Sequence, residues 1–472
     1  MAGSFLLGSQ DFKKEYGLKH AYLAGAMYKG IASSELVIKL GKAHYMGFLG
    51  TGGLKLEKIE KAIQDIQQHL EPSHPYGMNL LCNLIKPELE NQTVELFFKH
   101  GIRNVEAAAY MQMTPSLVWY RLKNLHLNSQ GQITIPHRII AKVSRPEVAT
   151  DFMSPAPADI VRKLVESGKL TQEEARLGEN IPISHDICVE ADSGGHTDQG
   201  VAYALMPAML KLREEMMKRH AYEKEIRIGA AGGIGTPEAA AAAFMLGADF
   251  ILTGSINQCT VEAGTSDTVK DILQGLNVQD TTYAPAGDMF ELGARVQVVR
   301  KGLLFPARAN KLYALYQQYS SLEEIDAKTC QQIQEKYFKR NFESVWEETK
   351  AYYLKEKPEE IEKATQNSKA KMALIFRWYF IHTSRLAIKG SQEQQADYQV
   401  HCGPALGSFN QWVKGTPLEQ WQNRRVDDIA ERLMEGAADL LTCRYNQWYG
   451  QELNQQGLKI KEQSRESHYK VA

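Results

Sequence analysis

The segment Cys188-Val189-Glu190-Ala191-Asp192-Ser193-Gly194-Gly195-His196-Thr197 is a short apolar run that ends in two glycines and a histidine. Histidine titrates near neutrality, so an imidazole at such a turn can serve as acid, base or hydrogen-bond donor. Any one of the 13 histidines is more often a surface or packing residue. What singles out His196 is the Gly194-Gly195 pair ahead of it at the end of an apolar run. Glu190 and Asp192 are near enough in sequence to orient the ring, and equally suit a solvated loop. Two more loops are glycine-rich: Ala230-Ala231-Gly232-Gly233-Ile234-Gly235-Thr236-Pro237, which opens an alanine-rich helix, and Thr253-Gly254-Ser255-Ile256-Asn257. Glycine lets backbone N–H groups come close to phosphate oxygens, and a following helix start adds partial positive charge. Tight turns without a ligand are the plain alternative. The dinucleotide fingerprint G-x-G-x-x-G is not met, because Glu238 stands at the third glycine position.

Two polar residues interrupt otherwise apolar runs. Asn79 lies in Tyr76–Leu81 and Lys142 in His137–Val143. If buried, each needs a partner. Lys142 either meets an anion or a site, or reaches solvent from the end of its strand. The loops Gly25-Ala26-Met27 and Gly50-Thr51-Gly52-Gly53 close two further runs.

These groups share one kind of position, the end of a short apolar run. Eight such runs are expected strands: 20–26, 45–49, 77–81, 104–109, 138–143, 186–191, 226–230 and 249–253. Helix-like segments alternate with them at 33–41, 55–70, 87–100, 115–123, 157–168, 203–220 and 236–246, often with Pro near the start and Gly past the end. Strict alternation with about eight strands predicts an α/β fold, a (β/α)8 TIM barrel. In that fold the active site lies at the C-terminal ends of the strands, and phosphate binds after strands seven and eight, where the two glycine loops fall. Residues 124–136 read as a hairpin insertion and 170–178 as an extra helix.

After about residue 256 the alternation stops. Residues 288–319, 322–354, 359–383 and 427–441 are helical in pattern, and Ser321-Leu322-Glu323-Glu324 reads as a capping box. The expected organisation is a barrel over 1–260, a C-terminal α-helical region over 261–455 taking no part in the barrel wall, and a polar tail over 456–472.

The chain has 472 residues, 43% hydrophobic and 24% charged, enough to bury a sizeable core. With 55 basic and 56 acidic side chains its net charge is −1, which argues against a nucleic-acid partner. The six cysteines form no C-x-x-C pair, which speaks against zinc and disulfides and for a reducing compartment. No secretory signal and no run of about 20 apolar residues is visible, so a cytoplasmic protein without a membrane span is expected.

Glycine loops, Gly-Gly-His and a lysine at the barrel mouth together resemble the nitronate monooxygenase superfamily of FMN-dependent barrels, which includes the flavin-dependent enoyl-acyl-carrier-protein reductases. The segments 139–147, 253–258, 261–266 and 397–405 bring the chain closer to the trans-acting enoyl reductases of polyketide and polyunsaturated fatty acid synthases, over nearly its whole length. The resemblance implies FMN phosphate on Gly232, Gly233, Gly254 and Ser255, with Asn79 and Lys142 at the flavin ring, where a cation suits the negative charge of the reduced form. Gly25, Ala26, Met27, Gly194 and Gly195 belong to the same implied cofactor set. His196 matches the superfamily's active-site histidine, on a motif longer than Glu-Ala-Gly-Gly-His. The implied reaction is NAD(P)H-dependent reduction of an α,β-unsaturated thioester on an acyl carrier protein, within a polyketide or fatty acid synthase complex and without a metal. Lys389, Arg424 and Arg425 are candidate contacts for an acidic carrier. Nitronate oxidation with O2 is the alternative on the same scaffold, a phosphate-binding barrel without chemistry is another, and a homodimer is left open.

Overall fold

Eight apolar runs become parallel strands: Tyr22–Ala24, Met46–Leu49, Gly77–Leu81, Asn104–Ala108, Arg138–Val143, Asp186–Glu190, Arg227–Ala231 and Phe250–Thr253. The computed structural model describes residues 4–455, residue 85 excepted; the tail expected over 456–472 lies outside the described residues. Spatial order follows chain order, and Tyr22–Ala24 pairs with both Met46–Leu49 and Phe250–Thr253, so the sheet closes into the expected barrel. Leu23, Met46, Phe48, Ile140, Cys188, Phe250 and Leu252 fill its interior, and helix Gln10–Tyr16 closes the lower end with Phe12 and Tyr16. The Phe12 and Phe250 rings stack with centroids 4.3 Å apart. Gly229 makes room for them, since a Cβ there would stand 2.2 Å from the Phe250 ring. Asp186 and Arg227, the first residues of strands six and seven, form a bidentate pair at 2.5 and 2.8 Å on this lower rim. The ionic lower rim holds the barrel together; the upper rim is where loops are free to build a site.

Outside the strands lie helices Ser34–Lys42, Leu56–His69, Pro87–Lys99, Pro115–Leu122, Pro146–Met153, Ala202–His220 and Pro237–Met245. Ser33, Thr114 and Thr236 cap three of them through their hydroxyls. The eighth place is taken by the last helix, Val426–Gln455, packed against both Pro237–Met245 and Ser34–Lys42. Val426, Ala430, Leu433, Met434 and Ala437 are buried in the barrel's own core. The sequence puts 261–455 outside the barrel wall, and the last helix corrects this. An amphipathic helix carries an apolar face but no mark of which surface it will cover.

The rest of the C-terminal region departs from the expected all-helical pattern in one respect that matters. Within the stretch 281–319, Thr281–Pro285 and Arg295–Val299 are antiparallel strands, and only Phe305–Gln318 is the long helix. Val296, Val298 and Val299 favour the extended chain, and glycines at 287, 293 and 302 end it. The expected helix over 322–354 breaks at Lys339, which is left-handed, and restarts at Phe342–Glu356 under an Asn341 cap. Ser321 makes no capping bond; Asp326 caps the following helix instead. Pro358–Gln366 and Ser368–Lys389 replace the single helix expected over 359–383. These helices enclose a second core of Phe290, Phe305, Phe338, Phe376, Tyr379 and Phe380. His126–Leu127 and Ile133–Thr134 form the expected hairpin. No helix among the described residues is long and apolar enough to cross a membrane.

Candidate functional site

The upper rim is built strand by strand. Asn79 and Glu106 are register partners on strands three and four, so their side chains leave the sheet on one side. The Asn79 amide donates to the Glu106 carbonyl at 3.1 Å, and Thr51 Oγ1 donates to the Asn79 carbonyl at 2.8 Å. The Glu106 carboxylate, fully buried, accepts the Ala26 N–H at 2.9 Å and lies 3.4 Å from Lys142 Nζ. Lys142 is also 3.5 Å from Glu190, which accepts the Ser193 hydroxyl at 3.0 Å. One cation thus sits between two carboxylates in a chain running from strand one to strand six. Burial works against the Lys142 charge, but Glu190 and Glu106 hold its ammonium above the ordinary lysine range. Burial pushes the Glu106 carboxyl up against the pull of Lys142 and the Ala26 N–H. Of the two readings of Lys142, the structure takes the first: its side chain is 18% exposed and meets anions.

After strands seven and eight the glycines do different jobs. Gly232 is left-handed at φ +86°, and a Cβ on it would stand 2.6 Å from the Ala191 carbonyl. At Gly233 and Gly254 a Cβ would meet no atom within 4 Å, so both face open space. Thr236 Oγ1 accepts the Ala239 N–H and caps the next helix with its own side chain. Ser255 Oγ accepts the Gly403 N–H at 2.9 Å, which leaves its proton for another acceptor.

Gly195–His196 is a two-residue strand on the edge of Arg295–Val299, with His196 opposite Val296. This pairing fixes the direction of the His196 side chain. Its Nε2 lies 3.0 Å from Asp288 Oδ1, on the loop between Thr281–Pro285 and Arg295–Val299. Neither Glu190 nor Asp192 orients the ring. Glu190 is turned to Lys142, and Asp192 accepts from Thr197 Oγ1 at 2.8 Å, Tyr283 OH at 2.6 Å and Gln297 Nε2 at 3.2 Å. Partial burial disfavours the imidazolium, but the Asp288 carboxylate outweighs it and raises His196 above the ordinary histidine value. Partial desolvation opposes ionisation of Asp288, although its side chain is 65% exposed, and the bond to His196 brings it below the usual carboxylate range.

Segment 401–405 ties three rim loops together. A Cβ on Gly194 would stand 2.8 Å from Gly403 N, and one on Gly235 would stand 2.0 Å from the Ala405 carbonyl. With the bond to Ser255, this strap touches the loops after strands six, seven and eight. His401 pairs with Val298 across a β-bridge and stacks on Tyr28 at 5.2 Å. The Gln399 amide, 2.8 Å away, donates to His401 Nε2, and burial beside His196 lowers His401 to about 4, leaving it neutral at pH 7.

The structure therefore brings Ala26, Asn79, Lys142, Gly194, Gly195, His196, Gly232, Gly233, Gly254 and Ser255 to one rim. Gly25 packs against Leu252 beside Glu106, and the Met27 carbonyl lies over Gly50, where a Cβ would overlap it. Glu106, Asp288 and His401 are the residues missed. Glu106 carried a readable signal, a lone carboxylate in an apolar run like Lys142; His401 lies in the family-like segment 397–405 but nothing there set it apart as a site residue, and Asp288 comes from a segment with no motif of its own. Arg424, offered as a surface contact, is fully buried and bonded to Leu418 O, Asn410 Oδ1 and Cys259 Sγ, so it cannot meet a carrier.

The nitronate monooxygenase sequence pattern matches residues 11–301, and that of the inserted helical domain of acyl-carrier-protein S-malonyltransferase matches residues 319–398. The chain is 58% identical over 455 residues to polyketide biosynthesis protein PksE of Bacillus subtilis, covering 96% of this chain and 59% of PksE. It is 51% identical over 439 residues to polyketide biosynthesis protein ThaF of Burkholderia thailandensis, covering 93% of this chain and 37% of ThaF. It thus spans less than two thirds of the curated relatives it matches. Its fold is similar to the crystal structure of the enoyl reductase domain of MlnA, from the macrolactin biosynthesis cluster of Bacillus amyloliquefaciens, with TM-score 0.91, 49% identity, and coverage of 94% of this chain and 99% of that one. A barrel with a Gly-Gly-His rim, matched to the family over residues 11–301, identifies the chain as a member of the nitronate monooxygenase family.

Proposed function

We propose that the chain is an FMN-dependent enoyl reductase that uses NAD(P)H to reduce α,β-unsaturated acyl thioesters carried on an acyl carrier protein, in a polyketide or fatty acid synthase system. The observation that carries this reading is the likeness to the enoyl reductase domain of MlnA across 99% of that domain. The match of residues 319–398 to a helical domain of an enzyme named for an acyl carrier protein supports the same substrate form.

The rim fits FMN. Gly233 and Gly254 face space with no atom within 4 Å of a Cβ position, and Lys142 keeps its charge near the end of strand Arg138–Val143 on the same rim. Gly232, Gly233, Gly254 and Ser255 would hold the phosphate; Gly25, Ala26, Met27, Asn79, Lys142, Gly194 and Gly195 would frame the ring. Held there, FMN would supply the redox chemistry, hydride transfer between NAD(P)H and the thioester's β-carbon. Lys142 offsets negative charge at the ring, while Glu106 and Glu190 keep it protonated and in place. His196, oriented by Asp288, donates a hydrogen bond to the thioester oxygen, where enolate charge develops, or a proton to the α-carbon. The Gly403 strap fixes the loop that carries it.

The test is NAD(P)H consumption by purified yellow protein given a crotonyl thioester. Stoichiometric butyryl product is expected; NAD(P)H oxidation indifferent to the thioester overturns the reading. Nitronate oxidation is the second reading, favoured by the family pattern over residues 11–301.

A further inference from the structure

Lys29 stands on the loop after the first barrel strand, against the helix that carries Ser384 and the exposed Arg385. Its backbone is left-handed, φ +52°, a conformation that a residue other than glycine holds where its surroundings impose it. The side-chain stem lies over the glycine loop after strand two, where a Cβ on Gly53 would meet Lys29 Cγ at 3.1 Å. Lys29 Nζ is 3.5 Å from Ser384 Oγ on helix Ser368–Lys389, and the Tyr28 hydroxyl is 2.6 Å from the same oxygen. Arg385 follows on that helix, close enough for its charge to add to burial in lowering the Lys29 pKa. Among the described residues no carboxylate forms an ion pair with Lys29 or Arg385. Glu348 is in electrostatic reach of Arg385 but is bonded to Arg340.

Two cations in electrostatic reach of each other without an anion repel, and burial of one adds to the cost. The pair also sits next to the chemistry. Tyr28 stacks on His401, and His401 Nδ1 would be 3.6 Å from a Cβ on Gly195, the residue before His196.

We propose that Lys29 and Arg385, with the Ser384 hydroxyl, form a phosphate-ester site at the barrel mouth that receives the phosphate of an incoming reactant. This rests on the enoyl-reductase reading, under which two reactants bring such a group: the phosphopantetheine arm of the thioester and the ribose phosphate of NADPH. Both are recognised by the same charge-assisted bonds.

The test compares the FMN-loaded protein with Lys29→Gln, Arg385→Gln and the double variant. Substrates are crotonyl-4′-phosphopantetheine and its phosphate-free counterpart crotonyl-pantetheine, each with NADPH and with NADH. In the double variant the KM of the phosphate-bearing thioester should rise about tenfold, with no such rise for crotonyl-pantetheine and no loss of flavin. A rise confined to NADPH over NADH upholds the site and assigns it to the nucleotide. Lys29→Arg should restore most of the effect. Changes equal for the two thioesters and also equal for NADPH and NADH, or loss of flavin from Lys29→Gln, overturn the proposal. If wild type reduces neither thioester, the reductase reading fails, and calorimetric binding of 4′-phosphopantetheine still decides the site. Loss of binding in the double variant upholds it, and unchanged binding overturns it.

Discussion

The His196 imidazole is bonded to Asp288 at 3.0 Å, although 92 residues of chain separate them. The short strand that carries His196 pairs with Arg295–Val299, and the loop entering that strand carries Asp288. The barrel supplies the imidazole and the added sheet supplies its partner.

That relationship gives the first prediction. Asp288 raises the His196 pKa, so the protonated ring persists above the pH at which a free histidine loses its proton. With imidazolium as donor, enoyl reduction falls as pH rises through this raised value. Asp288→Asn removes the stabilising charge, so the falling limb should move to lower pH, and the rate at neutral pH should drop about tenfold. An unmoved limb in the pH–rate profile excludes His196 as the titrating donor.

Lys142→Met should both destabilise the chain and loosen the flavin. It leaves the buried Glu106 without its cation, a loss of about 3 kcal/mol in denaturant unfolding. The double variant Lys142→Met/Glu106→Gln should recover most of that stability and none of the flavin affinity. Recovery of both would make the pair purely structural.

Gly254 separates fold from cofactor. No atom lies within 4 Å of a Cβ there, and its φ/ψ of −128°/−75° lies outside the main α and β regions but not at positive φ. Gly254→Ala should lower the melting temperature of the flavin-free protein by a few degrees at most, since it meets no clash. It should weaken FMN about tenfold, because the new methyl enters the space proposed for the phosphate. Unchanged affinity by fluorescence titration would move the phosphate elsewhere.

Ending the chain at Arg425 tests the closure of the barrel. Val426, Leu433 and Met434 would be lost from the core, at about 1.5–3 kcal/mol each, and the faces of Ser34–Lys42 and Pro237–Met245 would be bared. Insoluble or molten protein is expected by near-UV circular dichroism. A cooperative, flavin-binding product would show that the last helix is an accessory.

Most of the barrel was legible because each buried parallel strand is a short apolar run with a glycine or proline near its end, and Lys142 and Asn79 stood out against such runs. The strand Arg295–Val299 was not, because Arg-Val-Gln-Val-Val is too short to break an amphipathic stretch that reads as helix. His196 was found and its partner was not: sequence proximity pointed to Glu190 and Asp192, while the bond to Asp288 depends on a strand pairing that only the folded chain shows. The strap at Gly403 was visible as a family-like segment, but its role came from how closely it approaches Gly194.

The central claim is tested most directly by an anaerobic half-reaction. Flavin bound to the protein is reduced with one equivalent of NADPH and then mixed with crotonyl thioester on an acyl carrier protein, while flavin absorbance is followed. The account predicts reoxidation by the thioester with butyryl product, slowed strongly by His196→Ala with flavin still bound. Flavin that stays reduced with the enoyl thioester, in a protein that turns over nitronates in air, would contradict it.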